Sequence, residues 1–179
     1  MEDDKLAKLC KEIYAKHRQA LDLIYQYKPD HYLTITDSIK EVLSQNENII
    51  LNQSNKKIIR FASNTLKKVN DKYRQFGHNW VKDNSIFLYE VKIHSKKLVL
   101  VLVIGPTKDE TRANLIQKYQ MKTNSKFNQT QKWTTLDKVP LFSINDIENT
   151  DDIIEEIEKK LLDKVSEFIK MNDHILSDF

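Results

Sequence analysis

The chain has 179 residues, 40% hydrophobic and 31% charged, with a formal net charge of +3; it is long enough for one domain with a real core and marginal for two, and its balance excludes a disordered chain. Two Gly, three Pro and one Cys exclude glycine-rich phosphate loops, flexible linkers, a disulfide framework and a cysteine zinc site. The N-terminus "MEDDKLAKLCKEIY" lacks the apolar region of a signal peptide, and the longest apolar run, Leu98 to Ile104, is too short to span a membrane, so a reducing, cytoplasmic setting without a membrane partner is expected.

Leu6, Leu9, Cys10, Ile13, His17, Ala20, Leu21 and Ile24 recur at spacings of three and four, which predicts one buried face of a long helix. Cys10 and His17 lie on that stripe and read as a structural thiol and a core or boundary histidine. Pro29 ends the helix, because the residue before a proline is pushed out of the helical region. "TITDSIKEVLSQ" predicts a short helix with Thr36 or Asp37 near its N-cap. "NIILNQSNKKIIRFAS" predicts two short strands around a polar turn, Asn52 to Asn55. Leu66, Val69, Tyr73 and Phe76 then sit at helical spacing, and Gly77 ends that helix. Trp80 reads as the anchor of the following loop.

From Ser85 the pattern changes to period two. Phe87, Tyr89, Val91 and Ile93 take one face of a strand; Leu88, Glu90, Lys92 and His94 take the other. A turn at Ser95-Lys96 leads to Leu98–Ile104, which is apolar on both faces and is expected to be central. Thr107 to Glu110 fits a capping box that opens a helix through about Met121. Val139 to Ile144 reads as a last strand. The final helix, roughly Asp151 to Met171, carries the broadest apolar stripe and should lie on the sheet. The expected fold class is α+β, an antiparallel sheet with packed helices, with a helical N-terminal segment over 1–45 and an α+β domain over 46–179 that together are expected to form one structural unit.

Charge is unevenly spread. Between Thr111 and Leu136 the charges are Arg112, Lys118, Lys122, Lys126 and Lys132, with no acid among them. A second basic cluster runs from Lys56 to Arg74 against Asp71 alone. Such asymmetry points toward DNA or RNA; the plainer reading is the solvated face of a lysine-rich protein. Trp133, within basic "KFNQTQKWTTL", could stack on a base or cap the sheet edge.

Glu90 and Lys92 also carry a sharper alternative. An acid and a lysine two apart on a strand are half of a D…(D/E)xK nuclease centre, in which two acids hold a divalent metal and the lysine orients water. The other half is missing. Asp30, Asp71 and Asp83 are the upstream acids, and none falls on a suitable strand. The next element is moreover an antiparallel partner rather than a crossover helix. The histidines show no metal-ligand spacing, and no P-loop, HExxH or GxSxG occurs. No cofactor is expected, Mg²⁺ entering only under the nuclease alternative.

"YAKHRQALDLIYQYKPDHY", "IIRFAS", "IFLYEVKIHSKKLVLVLVIGPTKDETR" and "KWTTL" together resemble the C-terminal region of bacterial PD-(D/E)XK nuclease-superfamily proteins. The resemblance implies that the catalytic residues lie upstream of anything present here, in a nuclease core that this chain would lack as a fragment or a free-standing relative. It implies a non-catalytic accessory domain of a defence-type nuclease system, positioning nucleic acid or packing on a nuclease core or other partner protein. The residues expected to meet nucleic acid are Arg60, Lys92, Arg112, Lys122, Lys126, Lys132 and Trp133. A protein-interaction module without a nucleic-acid role is the third reading.

Overall fold

A computed structural model describes residues 2–27, 31–126, 132–144 and 153–179. They form two compact units, Met1–Thr34 and Ile35–Phe179. The division falls inside a helix, ahead of Ile35, Ile39, Val42 and Leu43, which are fully buried and belong to the second unit.

The first unit contains helix α1 (Glu2–Tyr27). The helix forms as its periodicity predicts, but the stripe is not core: Leu6, Leu9, Ile13 and Ile24 are exposed. Cys10 is an exposed free thiol rather than a buried one. His17 is exposed and leaves helical geometry, with φ −122° and ψ 22°, so it marks a kink and not a core position. Asp22 accepts a 2.8 Å bond from the Tyr14 hydroxyl across that kink.

Helix α2 (His31–Ser44) starts earlier than expected, so Thr36 is inside it. The Thr36 hydroxyl donates to the Lys56 carbonyl at 2.9 Å instead of capping. Five strands then pair antiparallel in sequence order: β1 (Ile49–Leu51), β2 (Ile58–Ser63), β3 (Phe87–His94), β4 (Lys97–Ile104) and β5 (Thr134–Ser143). Helices α3 (Asn64–Tyr73), α4 (Asp109–Thr123) and α5 (Ile153–Leu176) complete the α+β fold. The apolar run 98–104 is bordered on both sides, by β3 and by β5.

Period two decides which residues meet the helices. Phe61 stacks on Tyr89 with centroids 5.5 Å apart, and Phe168 of α5 meets Tyr89 edge-on at 6.0 Å. Ile157, Leu161, Val165, Phe168 and Ile169 of α5 are buried, as the stripe predicts. Each such aliphatic side chain contributes about 1.5–3 kcal/mol. Polar groups on this face are matched by hydrogen bonds and not by cations. Ser63 caps α3 by accepting from the Leu66 N–H at 2.9 Å, and donates to Asp173 at 2.7 Å. Tyr89 donates to the same Asp173 oxygen at 2.9 Å. Tyr119 donates to Asn172 at 2.6 Å, and Asn172 to Asp137 at 3.0 Å.

Three local devices set the strand ends. Asn70 imitates a neighbouring strand: its amide donates to the Phe87 carbonyl at 2.8 Å while its oxygen accepts from the N–H groups of Ile86 and Phe87. The turn between β3 and β4 places Ser95 and Lys96 at φ 46° and 66°. That turn favours Asn and Gly; here the Lys96 carbonyl is held by the Ile144 N–H at 2.7 Å and the Ser143 hydroxyl at 3.2 Å. Along β5, Lys164 of α5 donates to the carbonyls of Leu141 (2.7 Å) and Pro140 (3.5 Å).

Two further expectations are corrected. Thr107 does not cap α4, whose N-cap is Lys108 without a side-chain bond; the Thr107 hydroxyl donates to the Phe76 carbonyl at 2.6 Å. Strand β5 begins at Thr134, not Val139, because the partner strand β4 continues to Ile104 and pairs it there.

Candidate functional site

The face of the sheet opposite Tyr89 carries Glu90. Register places Arg60 beside it on β2 and Val101 beside it on β4. The Glu90 side chain is 4% exposed, and each of its oxygens meets a cation: Arg60 Nε lies 2.7 Å from Oε1 and Lys92 Nζ 3.0 Å from Oε2. Arg60 is held further by the Gln53 carbonyl at 3.1 Å, and its guanidinium sits 5.6 Å from the Trp80 ring centroid. Trp80 donates to the Ser85 carbonyl and packs on Gly105, where even a methyl group would overlap the indole. It is the loop anchor that the sequence suggests.

Glu90 and Lys92 are therefore neighbours, as their spacing implies, but they meet as an ion pair with Arg60 completing it. A metal at Glu90 would have to displace both cations. Among the described residues no three His, Cys, Asp or Glu side chains are placed to hold a metal. Asp83 serves its own loop, accepting from Asn52 at 2.9 Å and from the Ser85 hydroxyl at 2.7 Å. Partial burial, which would raise its carboxyl, is outweighed by these bonds, so it lies below the ordinary range. Asp71 pairs with Lys67 and Arg74. Asp30 lies outside the described residues.

Toward the turn end of the same face the sheet is open. A hollow of about 530 Å³ lies there, floored by Val99, Val101 and Leu136. Lys92, His94, Lys126 and Lys138 border it. His94, Lys126 and Lys138 are exposed and have no ion-pair partner among the described residues. Asp137 also borders it, its carboxylate taken by Asn172 at 3.0 Å and by the Lys138 N–H at 2.8 Å. Lys138 and His94 are not among the residues that the sequence singles out for nucleic acid. Lys138 falls in the early half of β5, whose sequence "TTLDK" carries little strand signal, and a lone histidine at a strand end, as His94 is, carries no phosphate-binding signal.

The other expected nucleic-acid residues fall elsewhere. Arg112 is 6% exposed and donates to Thr134, so it braces α4 against β5 and cannot reach a phosphate. Lys122 pairs with Asp178 at 2.6 Å and donates to the Ile175 carbonyl at 3.1 Å, which ties α4 to the end of α5. Lys132 is exposed, with its ammonium 5.1 Å from the centroid of the half-exposed Trp133 ring. The structure thus brings Lys92 and Lys126 together, with Arg60 behind them, and leaves Arg112 and Lys122 in structural roles. No helix among the described residues is long and apolar enough to cross a membrane. No protein-family model, curated protein or solved structure matches the chain.

Proposed function

We infer that the chain is a non-catalytic, nucleic-acid-positioning domain that works through the open face of its sheet. The observation that carries this reading is the convergence of Lys92, Lys126 and Lys138 on one hollow, with Glu90 neutralised from within by Arg60 and Lys92. The lysines would neutralise phosphates without reading base sequence. The resemblance to the region that accompanies PD-(D/E)XK nuclease cores supports the same role: holding a nucleic acid for a partner that cuts it.

Filter binding of a labelled oligonucleotide at 50 and 200 mM salt tests it. Affinity should fall steeply between the two, and Lys126→Glu/Lys138→Glu should weaken binding while lowering the salt slope by about 1 per lysine. Absence of binding at low salt, or affinity indifferent to salt and to these lysines, sinks the reading.

A second reading rests on a separate observation, the exposed stripe of α1. Apolar side chains gathered along one helix face mark a protein contact, and packing on a nuclease core would use such a face. Chemical shifts or cross-links of α1 that change on adding a purified core, and revert in Leu9→Lys/Ile13→Lys, would support it; their absence would leave α1 without that role.

A further inference from the structure

We propose that the hollow seats one unpaired nucleotide of a single-stranded nucleic acid, so that the domain selects single strands over duplex; this deepens the nucleic-acid reading and rests on it. The lining has two chemistries. Its floor is apolar, half-buried Val99 beside the nearly buried Val101 and Leu136, and its border sets Lys92, Lys126 and Lys138 against one acid, Asp137. A purely electrostatic surface needs no apolar floor. Its volume, about 530 Å³, lies within the range of small-molecule sites, about 300–1,000 Å³, and is far too small to admit a double helix.

A duplex stacks its base faces inside and offers only phosphates and groove edges. Against a duplex, the lysines would be used and the floor would stay wet. An unpaired nucleotide uses both: its base presents an apolar π-face to Val99, and its phosphate reaches the bordering ammonium groups. His94, exposed at the border, adds a flat ring beside the base. Arg60 and Glu90 do not touch the ligand; their ion pair holds Lys92 over the hollow.

The two nucleic-acid forms separate the outcomes, because charge alone favours duplex, which carries more phosphate per unit length. Fluorescence anisotropy at 100 mM salt would compare a twelve-nucleotide single strand, its annealed duplex, and a mononucleotide as competitor. The single strand should bind at least tenfold tighter than the duplex, and the mononucleotide should compete only at millimolar concentration. Thr135→Met, an exposed hollow-lining position filled without changing charge, should weaken single-strand binding at least fivefold and leave duplex binding within twofold. Val99→Thr makes the floor polar at nearly constant shape, and asks the same question should Thr135→Met lower the melting temperature; it should cost the single strand about threefold.

Duplex binding as tight as single-strand binding, or single-strand binding unmoved by both variants, overturns the proposal. So does competition by mononucleotide at micromolar concentration, which would make the hollow a free-nucleotide site. If Lys126→Glu/Lys138→Glu weakens both forms equally while the single-strand preference is absent, the phosphate-binding face stands and only this proposal falls. If those lysines do not matter, the face itself is wrong and the hollow falls with it.

Discussion

A carboxylate lies against each face of the sheet, buried Glu90 on one and half-buried Asp173 of α5 on the other, and the two are treated in opposite ways. Under the helices, Asp173 accepts from the hydroxyls of Ser63 and Tyr89, and burial raises its carboxyl above the ordinary range despite those bonds and one from Thr65. On the open face, Glu90 is met by two cations. Neutral partners suit a half-buried carboxyl on the helix side, where burial makes the ionised form costly. Paired cations suit a face that keeps charge at the surface for something else, since burying an ion pair gains little stability over packed apolar groups. The difference separates a face built for stability from a face built for contact.

The largest contrast should come from placing a charge on each side. Leu161 is fully buried under the sheet, so Leu161→Lys strands an ion and should cost more than about 4 kcal/mol. Val101 is nearly buried too, but it floors the open hollow, so Val101→Lys can reach water by extending its stem and should cost markedly less. Thermal melts monitored by circular dichroism read both, at about 2–4 °C per kcal/mol for a chain of this size. Equal losses would erase the distinction between the faces.

The ion pair gives the next effect. Arg60→Met leaves the buried Glu90 carboxylate with Lys92 alone and should cost about 3 kcal/mol. Arg60→Met/Glu90→Met removes both charges and should recover most of that loss, while weakening oligonucleotide binding because Lys92 is no longer held. A double variant as unstable as the single one would make the pair a stabilising device after all.

Asp173 sharpens the comparison through pH. Its folded pKa is raised, so its favourable contribution is complete below the ordinary value of 3.8 and is lost as pH rises through the folded value. Asp173→Asn keeps an oxygen that can accept both hydroxyl bonds and removes the charge. It should melt at the same or a higher temperature at pH 7, with less stability lost between pH 3 and 7 than in the parent chain. Loss of stability at pH 7 would mean that the ionised carboxylate is needed there. The smallest effect belongs to the border of the hollow: Lys138→Ala should shift stability by no more than about 0.5 kcal/mol, and should be visible only in binding.

Periodicity made β3, β4 and the stripe of α5 legible, because alternation and a three-four spacing each have one geometric meaning. The same signal misled at α1, since it shows which side of a helix is apolar and nothing about what covers it. Thr107 matched a capping pattern, but a carbonyl 31 residues away, on Phe76, took its hydroxyl. The site was half legible for the same reason. Glu90 and Lys92 could be placed on one face from two-residue spacing; Arg60 arrives beside them through strand register, and Lys138 through the early start of β5. Local sequence contains neither. Arg112 looked like its basic neighbours in the chain, yet sits at a helix position that turns inward.

The fastening of β5 by Lys164 bears on how copies of the protein behave in a crowded solution. An outermost strand with free carbonyls is a template on which another chain can polymerise. Here an ammonium group sits on the carbonyls of Pro140 and Leu141, and Pro140 brings no N–H of its own. The opposite edge, β1, is only three residues long. Growth of the sheet from molecule to molecule is thereby discouraged at both margins, and the broad surface bearing the lysines can stay uncovered without making the protein prone to fibres.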